Sequence, residues 1–359
     1  MKITRVEALP LAIPYHIGEG RGGRIGAGSR LDFCLVRVET DTGLVGWGEA
    51  FSYHCRGAVV AAVRDMIAPL AVGENALDIE GIQARIQKKL HIFGRMGIQC
   101  YALSGLDIAL WDLAGKAAGK PLHALLGSAK HATLPCYASL LRYGEPALVA
   151  QYSQRARAEG FGAVKLHEVT EPAVAAARGA LGDIPLMVDV NCEWSREDAI
   201  AAARAFAPHR LEWLEEPVFP PEDFHGLRAI GEAGGVPLAA GENLCYATQF
   251  AAMLEARAVA YAQPSVTKVG GVSEFRKVAQ LAAAAGIRLA PHSPYFGPGA
   301  VATLHLIAAL APEARFELFY LWADATLYPG LFGKAQVEVP QGPGLGRDPD
   351  PQVIERYRA

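Results

Sequence analysis

The sequence predicts an α/β protein, a (β/α) barrel preceded by an α+β region. Three observations carry that reading. From about residue 133, short apolar strand cores alternate with alanine-rich helical stretches, about eight times over roughly 185 residues. Asp189, Glu215 and Glu242 each follow one of those apolar runs, spaced 26 and then 27 residues apart. That period is about what one strand plus one helix occupies in such a barrel. Residues 1–127 lack the alternation and read as a separate unit, followed by the barrel over 128–322 and a distinct tail over 323–359.

Taken in order, MKITRVEALPLAIP alternates apolar and polar residues, which predicts a strand and not a secretory signal. FCLVRVETDTGLVGWGEA predicts a hairpin turning at DTG. Before it, YHIGEGRGGRIGAGSR is glycine-rich with three arginines. It lacks the strand–turn–helix context of a dinucleotide loop and predicts a mobile lid. Residues 57–70 and 78–92 read as helices. YALSGLDIALWDLAGKAAG is a stronger one, with Leu103, Leu106, Ala109, Leu110 and Leu113 on one face and Gly119–Lys120–Pro121 as its stop. Trp111 on that helix reads as core. The barrel strand cores are TLPCYAS, GAVKLH, PLMVDVN, LEWLEEP, PLAAGEN, AYAQPSV, IRLAPHS and RFELF. Strand–helix alternation implies a parallel sheet with right-handed crossovers, and eight repeats favour closure over an open sheet. The tail has one strand and many Gly and Pro residues, and is expected to return to the N-terminal unit.

Composition excludes several functions. Net charge is −3 with no basic stripe, so nucleic acid is not expected as a partner. No apolar run approaches the roughly 18 residues of a membrane helix. Six scattered cysteines without a CxxC pair argue against zinc or a disulfide framework, and for a reduced cytoplasmic location.

In a barrel of this kind the chemistry sits past the C-terminal ends of the strands. The polar residues there, strand by strand, are Lys165 and His167, Asp189 and Asn191, Glu215, Glu242, Ser265 and Lys268, His292, and Glu317. Residues two apart on a strand share a face, so Lys165 and His167 both point inward. Three carboxylates on consecutive strands converge on one point and suit a hard divalent cation, Mg2+ or alternatively Mn2+. Glu216, on the other face, reads as a supporting or surface group, and Lys268 as a salt-bridge partner. Trp194, Trp213 and Trp322 read as core or wall. The set suits removal of a proton next to a carboxylate, with the metal stabilising an enediolate and imidazole or ammonium groups acting as base and acid.

These residues carry a resemblance. The chain resembles the enolase superfamily, in the mandelate racemase/muconate lactonizing enzyme group, along its whole length. ALSGLDIALWDLAGKAAGKPLHALLG resembles the group's helix closing the capping domain. VDVN, LEEP and GEN resemble its metal-ligand motifs, KVGG its sixth-strand motif and PGLG its ending. The resemblance implies a modified TIM-type (β/α) barrel under an α+β capping domain built from the N-terminal part and the tail. It implies Mg2+ on Asp189, Glu215 and Glu242, and a homo-oligomer, octamer or dimer. It also exposes departures. The second-strand Lys-x-Lys of most of the group is here Lys165-x-His167, so Lys165 keeps the charge-neutralising role and His167 takes the base position. His292 matches the racemase-type histidine, but Ser265 stands where its partner Asp would be.

The expected reaction is dehydration of an acid sugar to a 2-keto-3-deoxy acid, with Lys165, His167 and His292 catalytic. Candidate contacts to a small carboxylate substrate are Asn191, Ser265, Glu317, His16, Arg24, Tyr53 and His54, with Arg21 beside them. The alternatives are a racemase or epimerase, a lactone cycloisomerase and, more remotely, a non-catalytic metal-binding barrel.

Overall fold

Among the described residues, backbone pairing forms two sheets. The structure, a computed structural model, describes residues 1–18, 29–293 and 295–359. Most of the glycine-rich stretch read as a lid, including Arg21 and Arg24, lies outside the described residues.

The first sheet is antiparallel and contains β1 (Ile3–His16), β2 (Arg30–Thr40) and β3 (Val45–Ala50). The β2–β3 hairpin turns at the DTG signal, with Thr40 N–H donating to Leu44 O at 3.1 Å. On β3 packs helix Ile98–Ala118. This contact explains the glycines of VGWGEA and of ALSGLD. A Cβ on Gly48 would lie 1.9 Å from Gly105 O, so helix and strand can meet this closely only without side chains. The five residues predicted to share a buried face are all buried, but so are Ala102, Ile108 and Trp111 opposite them. The helix is therefore sandwiched, with the β3 sheet on one side and barrel helices Gly271–Ala285 and Pro298–Leu310 on the other. The helix expected at 57–70 is interrupted. A π-helical turn at Ala62–Ile67 separates two short α-helical pieces.

The second sheet is the barrel. Its eight parallel strands are β4 (Thr133–Leu140), β5 (Val164–Leu166), β6 (Leu186–Asp189), β7 (Trp213–Glu215), β8 (Leu238–Ala240), β9 (Tyr261–Ala262), β10 (Arg288–Leu289) and β11 (Phe316–Phe319). Each of β5 to β10 pairs with its predecessor, and β11 returns to lie beside β4. The seam between β10 and β11 is bridged by Ser293 N–H donating to Glu317 Oε2 at 3.0 Å. All eight correspond to the strand cores legible in the sequence. The barrel floor is a plug of inward side chains, Tyr137, Ala163, Met187, Trp213, Ala239 and Ala290. Their apolar packing closes the lower end, which leaves the C-terminal mouth for chemistry.

The tail touches both sheets. β12 (Trp322–Ala323) extends the first sheet by pairing with β1, and Ala12 N–H donates to Tyr357 O. β13 (Gln336–Glu338) instead pairs antiparallel with β4 of the barrel.

Two buried acids lock the sandwiched helix. Asp107 accepts from Gln83 Nε2 at 2.8 Å, Ser273 N at 3.0 Å and Ser273 Oγ at 2.6 Å. Asp112 accepts from Trp47 N at 2.9 Å and Leu345 N at 2.7 Å, with Lys116 Nζ 2.8 Å away. Asp107→Ala should leave several buried donors unpaired and cost about 3 kcal/mol. A fall in Tm of several degrees checks this, and an unchanged Tm would refute it.

Glu49 on β3 reaches the barrel, accepting from Gly299 N–H at 2.8 Å. Burial pushes its carboxyl up to about 7, against the pull of that N–H. A raised carboxyl means that the folded chain holds a proton the unfolded chain has lost. The associated stability is complete below about pH 4.5 and drains away as pH rises to about 7. Glu49→Gln keeps an acceptor without the charge. Its Tm, measured against the native chain, should be similar near pH 4.5 and higher by pH 8, reflecting a stability difference on the order of 2–3 kcal/mol. An equal difference at both pH values would disprove the assignment.

Candidate active site

Strand pairing brings the acidic trio together. β6 ends at Asp189 and β7 at Glu215, and these two are paired in register. β8 ends at Ala240, and Glu242 follows after Gly241. Gly241 adopts φ +130°, and a Cβ there would meet Phe250 Cε1 at 2.7 Å. The glycine of GEN thus lets the chain turn tightly enough to bring Glu242 beside the other two. All three carboxylates are buried. One oxygen from each lies within 4.8 Å of the others.

Lys165, fully buried, sits among them. Its Nζ is 3.1 Å from Glu215 Oε1, 2.7 Å from Glu317 Oε1 and 3.6 Å from Asp189 Oδ2. Burial opposes its charge, but Glu215, Glu317, Tyr137 and Asp189 outweigh burial and hold it well above the ordinary lysine range. Lys165 is therefore a fixed cation. On the other side, burial raises Glu242, but His292 and Lys268 outweigh it and hold Glu242 well below the carboxylate range. Glu215 is pushed well up, first by burial and then, against the pull of Lys165, by the charges of Asp189, Glu317 and Glu242. Carboxylates outnumber cations here, and among the trio it is Glu215 whose charge burial and its neighbours oppose most.

The histidines flank the trio in strand order, His167 after β5 and His292 after β10. His167 Nδ1 is 2.6 Å from Leu140 O. A carbonyl only accepts, so Nδ1 carries the hydrogen, and proton exchange falls to Nε2, 3.4 Å from Asp189 Oδ2. His292 Nε2 is 2.7 Å from Glu242 Oε2, and its Nδ1 is 3.2 Å from the Tyr295 hydroxyl. Tyr295 in turn is 2.7 Å from Ser265 Oγ.

Glu216, read as a supporting or surface group, is buried beside the trio. It accepts from Asn243 Nδ2 at 2.6 Å, and burial together with the Glu242 charge pushes it up to about 7. Lys268 donates to Asn243 Oδ1 at 2.8 Å and lies 3.8 Å from Glu242.

Above these groups lies a cavity of about 300 Å³. Its polar side includes Asp189, Asn191, Glu242, His167, His292 and Lys268. Ile17, Leu31, Phe33, Phe51, Phe296 and Phe319 make much of the remaining wall apolar. Among the residues predicted to contact substrate, Asn191 and Tyr53 line this cavity. The structure sets the other described ones apart. Glu317 lies beneath the trio, held by Lys165, Ser139 Oγ and Ser293 N–H. Ser265 is buried behind Tyr295. His16 is stacked on Trp322, and His54 faces a second hollow with Asp32 and Arg56. Arg142 was missed. It lines the cavity and donates from Nε to His167 O at 2.6 Å, but in sequence it is one arginine on a loop with no motif to mark it. Tyr295 was missed as well, although it follows His292 by only three residues.

Residues 6–127 match the model of the mandelate racemase / muconate lactonizing enzyme N-terminal domain, and residues 147–353 that of the enolase C-terminal domain-like family. The chain belongs to the enolase superfamily, in the mandelate racemase/muconate lactonizing enzyme group. It is 35% identical to the 3,6-anhydro-alpha-L-galactonate cycloisomerase of Streptomyces coelicolor, over 89% of this chain and 90% of that protein. It is 34% identical to the L-talarate/galactarate dehydratase of Salmonella typhimurium, over 87% and 79% of the two chains. A racemase from Streptomyces coelicolor, solved with bound magnesium, superposes with a TM-score of 0.87 at 31% identity, covering 99% of this chain and 100% of that one. This member of the superfamily is an enzyme of Mg2+-dependent chemistry. The donors suit that ion, since three carboxylate oxygens form a hard, anionic set with a charge excess for a divalent cation to offset.

Millimolar Mg2+ should therefore raise the Tm of the native chain by several degrees. In Asp189→Asn and Glu242→Gln the shift should shrink or vanish. Differential scanning fluorimetry checks this, and an undiminished shift in both variants would refute the trio as the metal site.

Proposed function

We propose that the protein dehydrates an acid sugar to a 2-keto-3-deoxy acid. The observation that carries this reading is the unlike pair of imidazoles on either side of the trio. His167 is held at Nδ1 by a carbonyl, which leaves Nε2 to take up a proton. His292 is held at Nδ1 by a hydroxyl, with its Nε2 directed at the trio. A racemase benefits from matched bases on both faces, whereas elimination needs one base and one acid, and this asymmetry supports elimination.

In this reading the substrate carboxylate rests over the trio, with Lys165 remaining charged beneath it. Bound there, Mg2+ supplies Lewis-acid stabilisation of charge developing on the substrate carboxylate. His167 Nε2 takes the α-proton. His292 Nε2 gives a proton to the β-oxygen as its C–O bond breaks, and water leaves. The remaining enol takes a proton at the β-carbon, releases its hydroxyl proton and becomes the 2-keto acid.

A second reading, cycloisomerisation, is favoured by the apolar cavity wall, which suits a ring better than an open polyhydroxy chain. If the leaving oxygen is tethered in a ring, the same elimination opens the ring and no water is lost. We further propose a homo-oligomer, supported by the exposed Ile92, Phe93 and Met96. A cytoplasmic location is supported by the six free cysteines. Among the described residues no helix is long and apolar enough to cross a membrane.

A panel of acid sugars and anhydro-acids, assayed for 2-keto acid with semicarbazide, tests the function. One or more should react. His167→Ala and His292→Ala should each lower kcat by about 10²–10⁴-fold on that substrate. Full turnover in both variants would overturn the acid/base assignment. α-Deuterium incorporation with no keto acid from any compound would point to epimerisation instead.

A further inference from the structure

Ser265 stands where the resemblance leads one to expect an aspartate partner for His292, yet the imidazole is not left unsupported. Its Nδ1 lies 3.2 Å from the Tyr295 hydroxyl, and that hydroxyl lies 2.7 Å from Ser265 Oγ. The two rings meet edge to face, with centroids 5.7 Å apart and planes at 84°. Ser265 is fully buried and His292 nearly so, so neither end of this chain of hydroxyls is free to swing into solvent.

We propose that Tyr295 is the positioning residue for His292, with Ser265 anchoring its phenol. This rests on the reading above that His292 transfers a proton. Two physical arguments support it. A carboxylate can only accept, whereas a hydroxyl both donates and accepts. The phenol oxygen can therefore accept from Nδ1–H while its own hydrogen is donated to Ser265 Oγ, and because proton transfer takes place at Nε2 this pairing holds the ring in one orientation throughout. The second argument is charge. Asp189, Glu215, Glu242 and Glu317 already crowd the barrel mouth around Lys165. A further carboxylate beside His292 would have to be buried among them, at a cost in desolvation and repulsion. A phenol and a serine hydroxyl orient the imidazole without adding charge. Burial keeps the phenol well above its ordinary range, so it retains the proton this role needs.

The test uses the full-length Mg2+-loaded enzyme and a substrate found in the panel. Tyr295→Phe removes only the hydroxyl. It should lower kcat about 10–100-fold, with KM changed less than about threefold and the Mg2+-induced Tm shift retained. In D2O, α-deuterium exchange into recovered substrate, which depends on His167, should persist, so the ratio of exchange to elimination should rise. A filler of cavity space would not move that ratio. Ser265→Ala leaves the phenol in place but unanchored, and should show the same pattern more weakly. If Tyr295→Phe does not fold, the pattern in Ser265→Ala decides. Turnover within twofold of native in both variants, with His292→Ala impaired at least about 100-fold, would overturn the proposal alone. Full turnover in His292→Ala would remove the reading on which it rests.

Discussion

Lys165 carries a charge at the centre of the barrel mouth, with no solvent around it, and the arrangement of the site follows from that. Glu215, Glu317 and Asp189 all lie within 3.6 Å of its ammonium. Glu242 sits across the trio, near Lys268 and His292. Four carboxyl groups then face two lysines, so acids outnumber cations in the cluster. A chain free to relax would separate like charges or keep them in water. This one cannot, because Asp189, Glu215 and Glu242 are fixed at or just past the ends of strands paired on both sides, and Glu317 is on β11, paired with β4 and tied to Ser293 N–H across the seam. The barrel supplies the rigidity, and the apolar floor of Tyr137, Met187 and Trp213 keeps water from entering below. The excess of acids is thus a property of the fold itself, and it makes the barrel mouth a ready site for a divalent cation.

The cap matters to this arrangement because a barrel mouth alone is open to water. Helix Ile98–Ala118 fastens the β1–β3 sheet over the barrel, and the fastening is polar as well as apolar. Asp107 and Asp112 are buried acids in a mostly apolar helix, and each satisfies buried donors from the segments it joins. Glu49 does the same between β3 and the helix beginning at Pro298. With the cap so fixed, Phe33 and Phe51 from the first sheet face Phe296 and Phe319 from the barrel across the cavity. A low-polarity wall above the charged cluster strengthens every electrostatic interaction made there.

What the sequence disclosed follows the reach of each signal. Strand–helix alternation is local and repeated, so all eight barrel strands could be read, and with them the ends where Asp189, Glu215 and Glu242 emerge. Inward-facing pairs such as Lys165 and His167 follow from the two-residue period of a strand. What could not be read was depth along the barrel axis. Glu317 and Ser265 occupy strand ends as the others do, but Glu317 lies beneath the trio and Ser265 lies behind a tyrosine. Nor could loop geometry be read. Tyr295, Arg142 and Tyr53 reach the cavity from segments whose backbone course no periodicity encodes. His16 and His54 flank the right loops, but the His16 ring stacks on Trp322, and the His54 ring lies against Tyr53 while its backbone N–H donates to Asp32.

The two halves of the site differ in how much freedom they leave to evolution. The trio and Lys165 form one electrostatic unit in which each charge is balanced against several others, so changing one unsettles the rest. The histidines are coupled to that unit only at one nitrogen each, Nε2, and their other nitrogens answer to separate partners, Leu140 O and the Tyr295 hydroxyl. Those partners can be exchanged without disturbing the charge balance, provided the exchange adds no charge of its own. Under the proposed mechanism the trio stabilises the intermediate, and its fate is set by residues just past β5, β9 and β10, namely His167 and the Ser265–Tyr295 pair that holds His292.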